Sequence, residues 1–78
     1  MSNLNEEGIE LLEAEKIHEF NTFRMENLTL KPNLYNQDFS GKNLSFAFLN
    51  GAICNKTNFS NCILKKINLV QAELSNSN

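Results

Sequence analysis

The chain has no tryptophan, one tyrosine, one proline, one histidine, two cysteines and three glycines among its 78 residues. Each shortage removes a class of function. A lone histidine, His18, leaves no partner for a histidine-based metal site or an acid–base pair and reads as a solvated surface residue. Gly8, Gly41 and Gly51 are scattered, so there is no glycine-rich phosphate loop, and the last two fall where turns are expected. Cys54 and Cys62 are too few for a disulfide framework and read as reduced core thiols. No apolar run approaches the roughly 20 residues that span a bilayer. The opening "MSNLNEEGIELLEAEK" is acidic and lacks the basic start of a secretory signal, so a cytoplasmic location is expected. A chain of this length is one small domain, near the size at which a single core is marginal.

The net charge of −2 hides an asymmetry. Residues 1–31 carry seven glutamates against Lys16, Arg24 and Lys31, a balance of −4; residues 32–78 carry Asp38 and Glu73 against Lys42, Lys56, Lys65 and Lys66, a balance of +2.

What the chain has instead is a period. From Leu34, every fifth residue is apolar: Leu34, Phe39, Leu44, Leu49, Cys54, Phe59, Leu64, Leu69 and Leu74. Neither a helix (3.6) nor a strand (2) keeps one side inward at that spacing. In a chain with 41 % apolar residues, chance gives such a run with odds on the order of one in several hundred. Two residues earlier a second position repeats, Pro32, Gln37, Lys42, Ala47, Ala52, Thr57, Cys62, Ile67 and Ala72, mostly small or apolar from residue 47 onward. Between the two stands Asn or Asp at 33, 38, 43, 58 and 68.

The unit, small–Asn–Leu followed by two polar or small residues, resembles the pentapeptide-repeat family with its A-(D/N)-L-x-x motif, over residues 32–76. Gln37 and Lys42 depart from the small inward position. The resemblance implies a mainly β fold, a right-handed quadrilateral β-helix of about two coils with four pentapeptides per coil. Residues twenty apart then stack at the ~4.8 Å spacing of neighbouring strands. Phe39 meets Phe59, Leu44 meets Leu64, Leu49 meets Leu69, and Leu34 meets Cys54 and Leu74. Asn is expected to serve turns, through unusual backbone angles and local side-chain hydrogen bonds.

Residues 5–26 read as a single capping α-helix, with Asn5 as N-cap and Ile9, Leu12, Ile17, Phe20 and Phe23 on one face. The division expected is 1–31 for capping helix and linker and 32–78 for the repeat. The leader is similar to one that many proteins of the family carry, matching at Leu11, Leu12, Phe20, Asn21, Phe23, Arg24, Asn27, Pro32, Asn33 and Leu34. Glu15 stands where that leader has glycine, and Leu28 where it has proline. The helix is expected to cover the first coil's exposed edge and core.

After Leu74 only "SNSN" remains to cover the other end, so Leu69, Ala72 and Leu74 are the expected self-association surface, two such ends meeting as an isologous homodimer. A monomer of about two coils with a frayed end is the alternative. Among outward residues, Phe46, Phe48 and Ile53 are the candidate contact for an unidentified protein partner; Phe46 or Phe48 packing on the helix or the 27–31 linker is the competing reading. No catalytic residue, cofactor, metal, small-molecule substrate, nucleic acid or membrane is expected. The function expected is therefore a non-catalytic interaction or assembly module. A DNA mimic acting on an enzyme such as DNA gyrase, a known role in the family, requires phosphate-like charge that Asp38 and Glu73 cannot supply. A filament-forming assembly is a further alternative.

Overall fold

Asn3 opens the first helix. Its Oδ1 accepts the Asn5 N–H at 2.8 Å, and α1 runs Leu4–Glu13 with Glu6 and Glu7 in the first turn, where the helix dipole favours negative charge. The computed structural model describes residues 3–78; Met1 and Ser2, at the start of the expected capping segment, lie outside the described residues. α1 ends in a left-handed residue, Glu15, with φ 58°. The Lys16 N–H returns to Leu11 O at 2.9 Å and the Glu15 N–H to Leu12 O at 3.0 Å, the paired bonds of a Schellman motif. A second helix, α2, follows at Ile17–Glu26.

The single helix expected over residues 5–26 is therefore two helices, and the N-cap is Asn3 rather than Asn5. Apolar periodicity missed the break because both faces reach the same core: Leu12 and Phe20 are buried in it, Ile9 and Ile17 pack against it, and Phe23 is buried beside Phe20. Gly8 lets the helices close on one another, since a Cβ there would sit 3.2 Å from the Phe23 ring.

From Asn33 on, the chain is built of turns. All nine residues at 36, 41, 46, 51, 56, 61, 66, 71 and 76 have positive φ, from 54° to 77°. Two residues before each stands an inward apolar residue whose carbonyl accepts the N–H three positions on, as in Gln37 N–H to Leu34 O at 3.0 Å. Positive φ at the third residue of such a turn is the signature of type II. Gly41 and Gly51 suit that conformation without strain. The Asn and Asp side chains expected at the turns are there: Oδ1 of Asn33, Asp38, Asn43, Asn58 and Asn68 each accepts the N–H two residues on, at 2.9–3.1 Å. The left-handed angles belong to the residue three positions later, which is itself asparagine at 36, 61 and 76.

Successive coils meet in register twenty, through parallel bridges Asn33–Ile53, Asp38–Asn58, Asn43–Ile63, Phe48–Asn68 and Ile53–Glu73. The Phe39 and Phe59 rings stack with centroids 6.2 Å apart. The expected class, a mainly β right-handed quadrilateral β-helix capped by one helix, is nonetheless corrected. Among the described residues the regular elements are the two helices, with no β-strand or sheet, and the five bridges are isolated. The physical reason lies in the side length. Each five-residue side supplies one bridging residue, and the left-handed residue three positions on turns the chain before a ladder can lengthen.

Leu12 and Phe20 from the helices join Leu34, Phe39, Leu44, Leu49, Cys54 and the small Ala47 and Ala52 in one core. Each large apolar side chain fully buried there contributes about 1.5–3 kcal/mol. Burial fades along the stack: Leu64, Ile67 and Leu69 are half-buried, and Leu74 is 41 % exposed.

Candidate assembly surfaces at the two ends of the stack

Inside the stack the backbone bonds follow one rule. The N–H of Ile53, Asn58, Ile63 and Asn68 donates back to the carbonyls of Pro32, Gln37, Lys42 and Ala47, at 2.8–3.0 Å. The N–H of Leu34, Phe39, Leu44 and Leu49 donates forward to the carbonyls of Ile53, Asn58, Ile63 and Asn68, at 2.7–2.9 Å. The first coil has no earlier coil to donate to, so the N–H groups of Asn33, Asp38, Asn43 and Phe48 need other acceptors.

Three of the four find them in side chains of the helical segment. Asn33 N–H donates to Asn5 Oδ1 at 2.7 Å, Asn43 N–H to Glu15 Oε1 at 2.7 Å, and Phe48 N–H to Asn21 Oδ1 at 2.8 Å. The amide groups work in both directions, as Asn5 Nδ2 donates to Asn33 O and Asn21 Nδ2 to Phe46 O, each at 2.9 Å. Arg24 ties the linker to the stack, donating to Leu30 O at 2.9 Å and Asn50 O at 2.6 Å. Its Nε is buried without a partner among the described residues, and burial lowers its pKa from the usual guanidinium value.

Sequence reasoning expects the helix to cover the first coil's edge and core, but the side chains that cap the edge, Asn5, Glu15 and Asn21, escaped it. The signal was present in the polar residues of the leader, Asn21 and Arg24. At Glu15 the backbone is left-handed, a conformation that glycine adopts more readily. Here a glutamate tolerates that angle and uses its carboxylate to cap Asn43.

The last coil presents the reverse situation. The N–H groups of Leu64, Leu69 and Leu74 and the carbonyls of Cys62, Ile67 and Ala72 occupy the forward-bonding positions and have no partner among the described residues. Of the expected self-association residues, Leu69 and Ala72 are half-buried and Leu74 is exposed, all on this face. An open row of unpaired backbone groups beside apolar side chains is a template for another chain.

The expected lateral contact is dispersed. Phe46 is 54 % exposed and Phe48 37 % exposed, whereas Ile53 is half-buried between its bridge partners Asn33 and Glu73. Phe48 lines an open cleft of about 160 Å³ with Arg24, Met25, Leu28 and Asn50, at the meeting of α2, the linker and the stack. Phe46 instead points to solvent at a left-handed φ of 70°, an angle bulky residues rarely adopt. Ile63, 56 % exposed, is a bridge residue of the second coil, and Lys66 occupies the position twenty residues beyond Phe46.

Titratable chemistry is sparse. Burial pushes the Cys54 thiol up to about 11, away from the range of a reactive thiolate. Cys62 Sγ donates to Phe39 O at 2.8 Å, and Thr57 Oγ1 likewise to Leu34 O at 2.6 Å, so both inward polar groups serve the interior backbone. The Ser40 backbone N–H, then its side chain, holds the Asp38 carboxyl below its usual value. Among the described residues no three His, Cys, Asp or Glu side chains converge to hold a metal ion, and no helix is long and apolar enough to cross a membrane.

A family model described as pentapeptide repeats (8 copies) matches residues 33–65 and 52–78. The chain belongs to the pentapeptide repeat family. Its membership accounts for the five-residue period and the twenty-residue register, but the family shares a shape more than an activity. No curated protein and no solved structure matches this pentapeptide repeat chain.

Proposed function

We propose that this chain is a non-catalytic assembly module of the cytoplasm, a small repeat scaffold that self-associates through the open face of its last coil. The observation that carries the reading is the set of N–H groups of Leu64, Leu69 and Leu74 and carbonyls of Cys62, Ile67 and Ala72 that have no partner among the described residues, next to half-buried apolar side chains. Two copies meeting about a twofold axis cover both faces at once and leave no further edge, which makes the closed homodimer the simplest product. Leu69, Ala72 and Leu74 form its contact, and the exposed lateral Phe46 and Phe48 are left to a different protein.

Light scattering on the wild type and on Leu74→Asp tests this. Leu74 is exposed already, so the substitution leaves the core in place. A dimer that becomes a monomer in the variant is the expected result. A monomeric wild type overturns the reading.

A further inference from the structure

We infer that the N-terminal face of the first coil is a second, latent docking surface for the open last-coil face of another copy, held shut by Asn5, Glu15 and Asn21. The inference rests on the same last-coil face as the proposed function, but it concerns the opposite end of the molecule. The argument is one of matching hydrogen-bond sense. Every coil bonds to the one before it by donating N–H groups of the type of Ile53 and Ile63 to carbonyls of the type of Pro32 and Lys42. On the first coil the equivalent donors are Asn33, Asp38, Asn43 and Phe48; on the last, the equivalent acceptors are Cys62, Ile67 and Ala72. The two ends of one molecule are therefore complementary to each other, as any two neighbouring coils are. A head-to-tail contact of this kind does not close on itself and generates an open filament.

What prevents it is a set of side-chain oxygens placed where the carbonyls of an earlier coil would be. Asn5 Oδ1, Glu15 Oε1 and Asn21 Oδ1 accept at 2.7–2.8 Å, at least as short as the 2.8–3.0 Å of the equivalent bonds between coils. The cap is incomplete, because the Asp38 N–H has no acceptor among the described residues. It is also polar and exposed at its edges: all three bonds lie in exposed surroundings, and so water competes for them. The helical segment is thus both a lid on the core and a stop to polymerisation, and the occupant that it excludes is a second copy of this chain.

Two measurements test the inference. In the intact wild type, hydrogen exchange at the amides of Asn33, Asn43 and Phe48 reports opening of the cap. Exchange there is expected to be at least roughly tenfold faster than at Ile53, Ile63 and Asn68, whose acceptors are carbonyls of another coil. Equal protection at both sets would mean that the cap does not open separately, and the inference would fail.

The second is electron microscopy and light scattering of the combined variant Asn5→Ala, Glu15→Ala, Asn21→Ala. Filaments of uniform width are expected. They should vanish when Leu74→Asp is added, and shorten when wild-type chain is mixed in, because a capped molecule ends growth. Amorphous aggregate indifferent to both additions, or unchanged mass, would overturn the inference. The two readings separate cleanly. A monomeric wild type whose cap-opened variant forms filaments defeats the proposed dimer alone. A wild-type dimer that stays a dimer after cap opening defeats the latent surface alone.

Discussion

The two ends of the stack pose the same problem and meet it differently. At the first coil, outward-facing amides are met by Asn5, Glu15 and Asn21, and buried Leu12 and Phe20 cover the core. At the last coil, the equivalent groups have no partner among the described residues and Leu64, Ile67 and Leu69 are only half-buried. The repeat is nearly the same sequence pattern at both ends, so the pattern does not set local stability. What does is whether a layer has a neighbour on both sides, as expected for repeat architectures in which each layer gains from its contacts with the next.

Equivalent residues in one column measure that difference most strongly. Leu49→Ala removes a side chain with no exposed surface and is expected to cost about 3–5 kcal/mol, whereas Leu69→Ala, twenty residues on and half-buried, should cost about 1–2 kcal/mol. Urea unfolding of both variants checks it, and equal losses would break the comparison. A smaller effect separates the polar groups of the two ends. Asn21→Ala loses bonds to both Phe46 O and Phe48 N–H and should cost about 2 kcal/mol. Asn68→Ala loses only its turn bond to the Val70 N–H and should cost under about 1 kcal/mol.

The cysteines divide along the same line. Cys54 is wholly buried and its thiol is raised from 9.0 to about 11; Cys62 is half-buried towards the open end. Alkylation followed by mass spectrometry should label Cys62 first, with Cys54 labelled only on unfolding. Because the folded state holds the Cys54 proton more tightly, its contribution is fully present below pH 9 and is lost as pH rises through about 11. Thermal melts across that range, compared with Cys54→Ala, should show the decline only in the wild type.

The smallest expected change is at Glu15. Glu15→Gly relaxes the left-handed backbone by about 1 kcal/mol and loses the Asn43 cap for about the same amount, leaving stability nearly unchanged. Glu15→Ala loses the cap and keeps most of the strain, so its melting point should fall below that of the glycine variant. An alanine variant as stable as glycine would show that the carboxylate bond contributes nothing.

Much of the repeat was legible because its causes are local. The inward column from Leu34 to Leu74, the turn glycines Gly41 and Gly51, and the Asn bonds at 33, 43, 58 and 68 all arise within five residues of chain. The division of the leader at Glu15 was hidden because the apolar faces of α1 and α2 keep an almost continuous register across the break. Phe46 and Phe48 were correctly read as outward, yet sequence spacing could not say that Phe48 forms a wall with Met25 and Leu28 while Phe46 stands free.

By itself, then, the sequence determined the period of five and which residues turn inward, since these follow from side-chain class and turn chemistry along a short stretch of chain; the pairing of positions twenty apart came from the family resemblance. Only the tertiary structure decided that the coils touch through isolated bridges without forming strands, and that side-chain oxygens of Asn5, Glu15 and Asn21 replace a missing coil. Those outcomes depend on where hydrogen-bond donors find acceptors far along the chain, twenty residues apart at the bridges and 28 at the Asn5 cap, and no local pattern encodes such a meeting.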